Sequence, residues 1–550
     1  MNSIASLVES LDLLGSDETV IDRLRSEGSA DDQLSGEPDL HLYRGSLRRI
    51  GNVVVAMARM PVERAAEHAV SGPAGAGKPG ELCRRLVLVS REPIHLGFDG
   101  PAGTAGSLHW QQVIPGPVNL GPLFALFPWT RPTSLRDRRT TIGMGDRTGL
   151  ATAGQIAAAR RFDVAPVLAQ QSIRELDFTG RSFSDVVADA AFLVFQEGFT
   201  RGYGADGDHL KTIPDIDRAL ACGMPMITLD LTGVMNPLGA NWTDAEIETA
   251  FGRLPADFRS RIEERYYDAS VQLETATLQI DAATARRCAV MYGEALGFTA
   301  EVDQHLRRNR GSAYDLEISV DETTTPTLPL HHYFIARELE ARGVAVNSLA
   351  PRFIGDFQKG IDYIGDIDEF ARQFRVHAEI ARAAGGYKVS VHSGSDKFSV
   401  YPVVGAETDL RLHLKTSGTS WLESLRTVAQ CEPHLYRMIH RHAYEAFPVA
   451  LKAYHITADI DAIAPLDTTA DDQLPSYLDD PNCRQFLHIS YGGLLRAPEI
   501  RGSFFAALHR HEMAYRSNVE RHMTAHLERL GVPATDNANE WADSAEGGSV

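Results

Sequence analysis

Between residues 141 and 416 the sequence repeats one alternation: a short apolar run of β type, then a stretch with helical spacing. The apolar runs are 141–144 (TIGM), 165–169 (APVLA), 191–196 (AFLVFQ), 225–230 (PMITLD), 315–321 (DLEISVD), 344–350 (VAVNSLA), 387–392 (YKVSVH) and 410–416 (LRLHLKT). Strands alternating with helices are the mark of a parallel sheet, because each crossover helix returns the chain to the same end. Eight such units predict an α/β fold of (β/α)8 TIM-barrel type, with active groups at the C-terminal ends of the strands. An open, doubly wound sheet is the alternative.

Around this frame the sequence divides further. Residues 1–135 read as an N-terminal α+β unit, with strand-like runs in GNVVVAMARMP and RRLVLVSREPIHLGF. Residues 136–460 are assigned to the barrel, with a helical insertion over 231–310 after the fourth run. Residues 461–530 read as a helical C-terminal region ending in a helix over 500–530, and 531–550 as a polar, disordered tail.

A formal net charge of −19 argues against general attraction to nucleic acid or anionic lipid. Any anionic substrate then needs a local cluster of Lys and Arg. Cys83, Cys222, Cys288, Cys431 and Cys483 are scattered, with no C-x-x-C pair, which favours reduced thiols over a thiolate zinc site. No run approaches the roughly 18 apolar residues of a spanning helix, and the expectation is a soluble, cytoplasmic protein without a membrane partner. Gly72, Gly77 and Lys78 in GPAGAGKP match most of a phosphate-binding loop. Pro79 stands where that motif needs a hydroxyl for Mg²⁺ and the start of a helix, so the match fails.

Strand residues alternate faces, and this sorts the ionisable groups. Glu317, Ser319 and Asp321 share one side of the fifth run, opposite Leu316, Ile318 and Val320. Lys388, Ser390 and His392 share a side of the seventh, Arg411, His413 and Lys415 of the eighth, and Thr228 and Asp230 of the fourth. One histidine on a strand is ordinarily a satisfied core residue. Several carboxylates, histidines and lysines converging on one barrel mouth need partners or a metal. GADGDHLKT, read as the loop after the third run, adds Asp208, His209 and Lys211, although Asp208 alone reads equally as a helix cap. The stretch after the sixth run adds Arg352, Asp356 and Lys359, and His331 and His332 open a helix after the fifth. No pair of histidines has H-E-x-x-H spacing, so any metal site is assembled from separate strands.

VHSGSDKFSVYP, GADGDHLKT, SVDETTTPT, HYFIARELEARG, GDFQKGIDYIGD and HLKTSGTSWLE together resemble the tagaturonate epimerase family over roughly 140–460. The segment 143–155 is looser than the family pattern at Thr148, Ala153 and Gln155, which leaves the substrate open if those positions tune the sugar pocket. The resemblance implies a metal-dependent isomerase acting on a small hexuronate, interconverting D-tagaturonate and D-fructuronate in hexuronate catabolism. The implied cofactor is a divalent cation (Zn, Mn, Co or Ni). It implies Asp208 as base and Glu317 as its acid/base partner, with His209 and His392 as metal ligands. Asp356 is the third implied ligand and His332 its rival. Lys211, Arg352, Lys397 and Lys415 are the implied contacts of the substrate carboxylate and hydroxyls. The epimerised centre is the β-hydroxy carbon of a ketone, whose C–H is not acidic enough for simple proton abstraction. With no G-x-G-x-x-G after a strand for a nicotinamide, retro-aldol cleavage and rebonding is the expected route. A metal-dependent aldolase or ketose isomerase is the alternative within enzymes, and a non-catalytic sugar-acid-binding protein the alternative outside them.

Overall fold

Eight parallel strands close into a barrel in the computed structural model, which describes residues 2–15, 19–26, 33–37, 40–61, 81–323, 325–416 and 418–535. The strands are β1 (Thr140–Gly143), β2 (Ala165–Ser172), β3 (Gly204–Leu210), β4 (Met226–Asp230), β5 (Asp315–Ser319), β6 (Val346–Ala350), β7 (Lys388–Val391) and β8 (Leu412–Lys415). Each pairs with the next, and β8 returns to β1, with Leu412 opposite Thr140 and Lys415 opposite Gly143.

Seven of the eight expected runs are these strands, and the third is not. Residues 191–196 lie inside a helix, Phe183–Glu197, that is stopped at both ends by local chemistry. Ser182 and Asp185 form a capping box at its start, and Gly198 ends it at φ +59°. The helix is buried on nearly every side, so its apolar residues lose their 3.6 period and imitate a strand. The true β3 is GADGDHL, the segment expected as a loop. Its glycines hid it: a Cβ on Gly207 would sit 2.8 Å from the Ala219 Cβ, and one on Gly204 2.9 Å from Leu135.

Alternation along the strands holds as expected. Leu316, Ile318, Val389, Val391, Leu412 and Leu414 are all essentially inaccessible beneath the helices; each such burial contributes about 1.5–3 kcal/mol. The inward residues form layers. The lower end is plugged by the segment at 134–135: Asp315 accepts from Ser134 Oγ (2.5 Å) and Leu135 N (2.7 Å), and Lys388 Nζ donates to the Leu135 carbonyl (3.0 Å). With that end closed, the ionisable residues higher in the barrel open only toward the C-terminal mouth.

The piece between β4 and β5 is mainly helical, as expected, and ends in the long helix Ala282–Arg310. It also contains an antiparallel hairpin, Ala269–Gln272 with Thr277–Ile280, within a stretch that reads as continuous helix. The N-terminal residues build a seven-stranded antiparallel sheet with the helices Asn2–Ser10 and Val20–Ser26. A buried clamp fastens that sheet to the C-terminal helix Glu512–Leu530: Glu512 accepts from Tyr43 Oη (2.7 Å) and pairs with Arg84 (2.8 Å). The same helix lies across Thr152–Arg160, the first barrel helix, so closely that a Cβ on Gly154 would meet the Arg516 carbonyl at 2.6 Å. Residues 531–535, expected in a tail, continue the ordered chain, with Ala534 bridged to Phe162. The loop containing Gly72, Gly77 and Lys78 and the remaining tail, 536–550, lie outside the described residues. Among the described residues no helix is long and apolar enough to cross a membrane.

Candidate active site

A cavity of about 260 Å³ opens at the C-terminal end of the barrel, near the lower limit of small-molecule sites at roughly 300 Å³. Its wall includes Asp208, His209, Asp321, His392 and Lys415 from strand ends, and Arg352, Asp356 and Lys359 from the segment after β6.

Each strand delivers its side chain by a local device. The ladder between β3 and β4 slips between Gly207 and Leu210, and His209 takes φ +53°. Such a conformation costs a non-glycine residue about 1–2 kcal/mol. The bulge breaks the strict alternation, so that Asp208 and His209, adjacent in sequence, both reach the cavity. At β7, His392 is the residue just after the strand, and Ser393 follows at φ +47°. Asp321 stands two residues past β5, on the face it shares with Glu317 and Ser319, and its carboxylate accepts from Ser319 Oγ.

Glu317 lies below the cavity and is fully buried. It accepts from His392 Nε2 (2.6 Å), Ser348 Oγ (2.6 Å) and Thr228 Oγ1 (3.2 Å). Burial opposes its charge, but the His392 imidazole outweighs it and holds the carboxyl well below the usual range. The other imidazole nitrogen of His392, Nδ1, is 3.1 Å from Asp321 Oδ1 yet lacks hydrogen-bond geometry. His209 Nδ1 is likewise buried with no hydrogen-bond partner, 3.5 Å from Asp230 Oδ2. The two rings stand edge to face, 5.1 Å between centroids.

Ligand atoms of His209, Asp321 and His392 all lie within 4.8 Å of one another. The orphaned His392 Nδ1 beside the Asp321 carboxylate, with the His209 imidazole in the same small volume, fits a divalent cation, and the imidazole–carboxylate mixture suits Zn, Mn, Co or Ni. Glu317 then occupies the outer position from which a carboxylate fixes a ligating imidazole. Without a cation the same carboxylates retain a proton on His392: burial lowers its basicity, but Asp321 and Glu317 together raise its pKa to about 9. A divalent cation taken up at these atoms would have to displace that proton.

Beside this cluster, Asp208 and Lys415 form a buried ion pair. Burial alone would raise the Asp208 pKa; the Lys415 ammonium and then His209 overcome it and hold the carboxyl below its ordinary value. Asp206, one pleat deeper, is pushed up to about 7 by burial and by the charges of Asp208 and Glu317. It is tied to Thr228 Oγ1 (2.9 Å) and Gln170 Nε2 (3.0 Å).

The other expected site residues are placed differently. Asp356 lines the cavity but is not in the cluster; its backbone pairs with Ile364, which fixes it on the loop away from the imidazoles. His332 is in the core, bonded to His377 (2.9 Å) and the Tyr387 hydroxyl (2.7 Å), because the helix Pro329–Ala341 turns it away from the mouth. Lys397 is buried and donates to the carbonyls of Gln358 (2.8 Å), Ile361 (2.5 Å) and Ser395 (2.8 Å), so it fastens the segment after β6 rather than facing the cavity. Lys211 is half exposed and pairs with Asp230 (3.2 Å), outside the cavity wall. Arg352 does line the cavity and donates to the Thr323 carbonyl. Thr148, Ala153 and Gln155, the looser positions of the segment 143–155, are buried behind the wall.

Sequence reasoning did not assign Asp321 as a ligand, although its spacing from Glu317 placed it on the right face. It also passed over Arg147, a buried cavity residue that pairs with Glu175 (2.9 Å) and lies 3.7 Å over the Tyr491 ring. No pattern in the sequence marks Arg147, since its partners are remote.

Comparison with known proteins gives this geometry a family. The model of the tagaturonate epimerase family matches residues 115–530. A tagaturonate/fructuronate epimerase of Thermotoga maritima is 37% identical over 412 residues, 75% of this chain and 85% of its own. Crystal structures of a fructuronate-tagaturonate epimerase from Cohnella laeviribosi, native and glycerol-complexed, are 39% identical. They cover 94% of this chain and 99% of theirs, with a TM-score of 0.82. With the closed eight-stranded barrel and the match over most of its length, the chain belongs to the tagaturonate epimerase family.

Proposed function

We propose that this protein is a metal-dependent isomerase interconverting D-tagaturonate and D-fructuronate. The observation that carries the reading is the convergence of His209, Asp321 and His392 beside the buried Asp208–Lys415 pair, in a chain of this family. His209, His392 and Asp321 are the proposed ligands, with Asp321 in place of Asp356. A divalent cation held there supplies Lewis acidity for the substrate ketone.

The protein's own groups account for the rest. Asp208 takes the proton of the β-hydroxyl, and Lys415 keeps that carboxylate ionised and oriented. As the hydroxyl becomes a carbonyl, the bond between the α and β carbons breaks, leaving an enediolate and an aldehyde. Rotation of the aldehyde presents its other face; the bond reforms, and Asp208 returns the proton to the new alkoxide. Glu317 acts through His392, whose ring it orients, rather than as a second acid/base group on the substrate. Arg352 is the proposed contact for the sugar acid among the expected cations at the cavity. Five cysteines that form no disulfide agree with a reducing compartment, and the reading extends to a cytoplasmic enzyme.

NMR analysis of tagaturonate turnover tests the reading. A C-epimer should accumulate, the activity should vanish on thorough chelation, and an added divalent cation should restore it. Cleavage fragments as the sole products would instead favour an aldolase.

A further inference from the structure

The cavity wall carries five Lys and Arg side chains and five carboxylates, yet not every cation is paired with one of them. Arg147 is paired with Glu175 (2.9 Å), Arg174 approaches Glu322 (3.6 Å), and Lys415 is paired with Asp208. Lys359 and Arg352 also line the cavity, and among the described residues neither is paired with a carboxylate. Both lie on the segment after β6, seven positions apart. Lys359 Nζ is held by Ser393 Oγ (3.1 Å), the residue after His392. Backbone carbonyls of the same segment are fastened by buried Lys397, which fixes where Lys359 stands.

We infer that Lys359, with Arg352 on the same cavity wall, is the seat of the substrate's carboxylate. Two cations without a carboxylate partner, one positioned by a hydroxyl next to a proposed ligand, are complementary to a bound anion. Supporting this, burial first and then the ammonium of Lys415 push the Lys359 pKa down to about 8, and a bound carboxylate would reverse that cost. The inference rests on the proposed epimerase reaction and adds a role within it. In retro-aldol cleavage of a 5-keto hexuronate, the carboxylate travels with the aldehyde fragment. A seat at Lys359 keeps that fragment in the cavity while its carbonyl turns over.

The test uses the holoenzyme and tagaturonate. Lys359→Met should raise KM roughly 10- to 100-fold, the loss expected for one charge-assisted contact, with a smaller change in kcat. Lys359→Arg should recover most of it. Calorimetric binding of a six-carbon aldonate should weaken by a similar factor in Lys359→Met, while bound metal stays at the wild-type level. An unchanged KM and aldonate affinity in a folded Lys359→Met would overturn the proposal. So would a borohydride-trapped substrate adduct on Lys359, which would make it an imine-forming nucleophile. A wild-type enzyme that turns over no tagaturonate would sink the epimerase reading instead, so the two failures are distinct.

Discussion

Glu317 Oε1 accepts a 2.6 Å hydrogen bond from His392 Nε2, which leaves Nδ1 of the same ring at the cavity, 3.1 Å from Asp321. One buried carboxylate thereby selects both the tautomer and the orientation of a proposed ligand. Glu317→Gln keeps the size but can present its NH₂ group to Nε2, favouring the wrong tautomer. Divalent-metal affinity, measured by competition with a chelator, should fall about 10- to 100-fold with the fold intact.

His392→Ala and Asp321→Ala remove proposed ligands outright, and each should lose metal and epimerase activity together in metal analysis and turnover assays. Asp356→Ala should retain its metal, because that residue lies outside the cluster. A metal-free Asp356→Ala protein with a fully loaded Asp321→Ala protein would reverse the assignment.

Asp208→Asn should lower kcat by roughly 10²- to 10⁴-fold, the range for removing a positioned acid/base group. It also leaves the Lys415 ammonium buried without its counter-charge, and destabilisation of about 3–5 kcal/mol should appear in denaturant unfolding. The double variant Asp208→Asn/Lys415→Met should regain much of the stability and none of the turnover.

His332 and His377 share a 2.9 Å contact in the core, outside the cavity wall. Burial drives both pKa values down, His377 to about 3 and His332 well below its ordinary value. A histidine whose folded pKa is depressed stabilises the fold above its unfolded pKa, about 6.5, and loses that contribution as pH falls below it. Stability should therefore decline from pH 6.5 downward, by up to about 1.4 kcal/mol per pH unit for each such group until its folded pKa is reached. Replacing the pair with Phe and Leu should flatten the Tm-against-pH curve between pH 6.5 and 4 without touching metal content.

Gly154→Val places carbon where the Arg516 carbonyl would lie 2.6 Å from its Cβ, and the cost should be about 1–3 kcal/mol or more in Tm-derived stability.

The barrel was legible because seven of its strands bury both faces of alternate residues, and such runs carry β-branched and leucine side chains whatever their neighbours. β3 was not, because Gly207 packs its outward face against Ala219, and its inward face carries Gly204 against the Leu135 plug and then Asp206 and Asp208. Only Ala205 and Leu210 remained as apolar markers, too few to read as a strand. Alternation also put Glu317, Asp321, His392 and Lys415 on one interior from the sequence alone. It could not rank them by depth, which decides that Glu317 orients while Asp321 faces the cavity. Lys397 shows the reverse limit: its position after His392 suggested the substrate, but two backbone carbonyls in another loop and one in its own claim its ammonium. Those acceptors are defined only once both loops are folded.

The helix Glu512–Leu530 covers the first barrel helix, Thr152–Arg160, whose residues are nearly all buried. During synthesis the covering segment leaves the ribosome several hundred residues after the helix it protects. Throughout that interval a segment destined for burial, with Ile156 and four alanines, lies uncovered on the nascent chain. Chaperone capture of ribosome-bound chains should therefore persist until residue 530 has emerged, and truncations that stop short of it should aggregate even with all eight strands present.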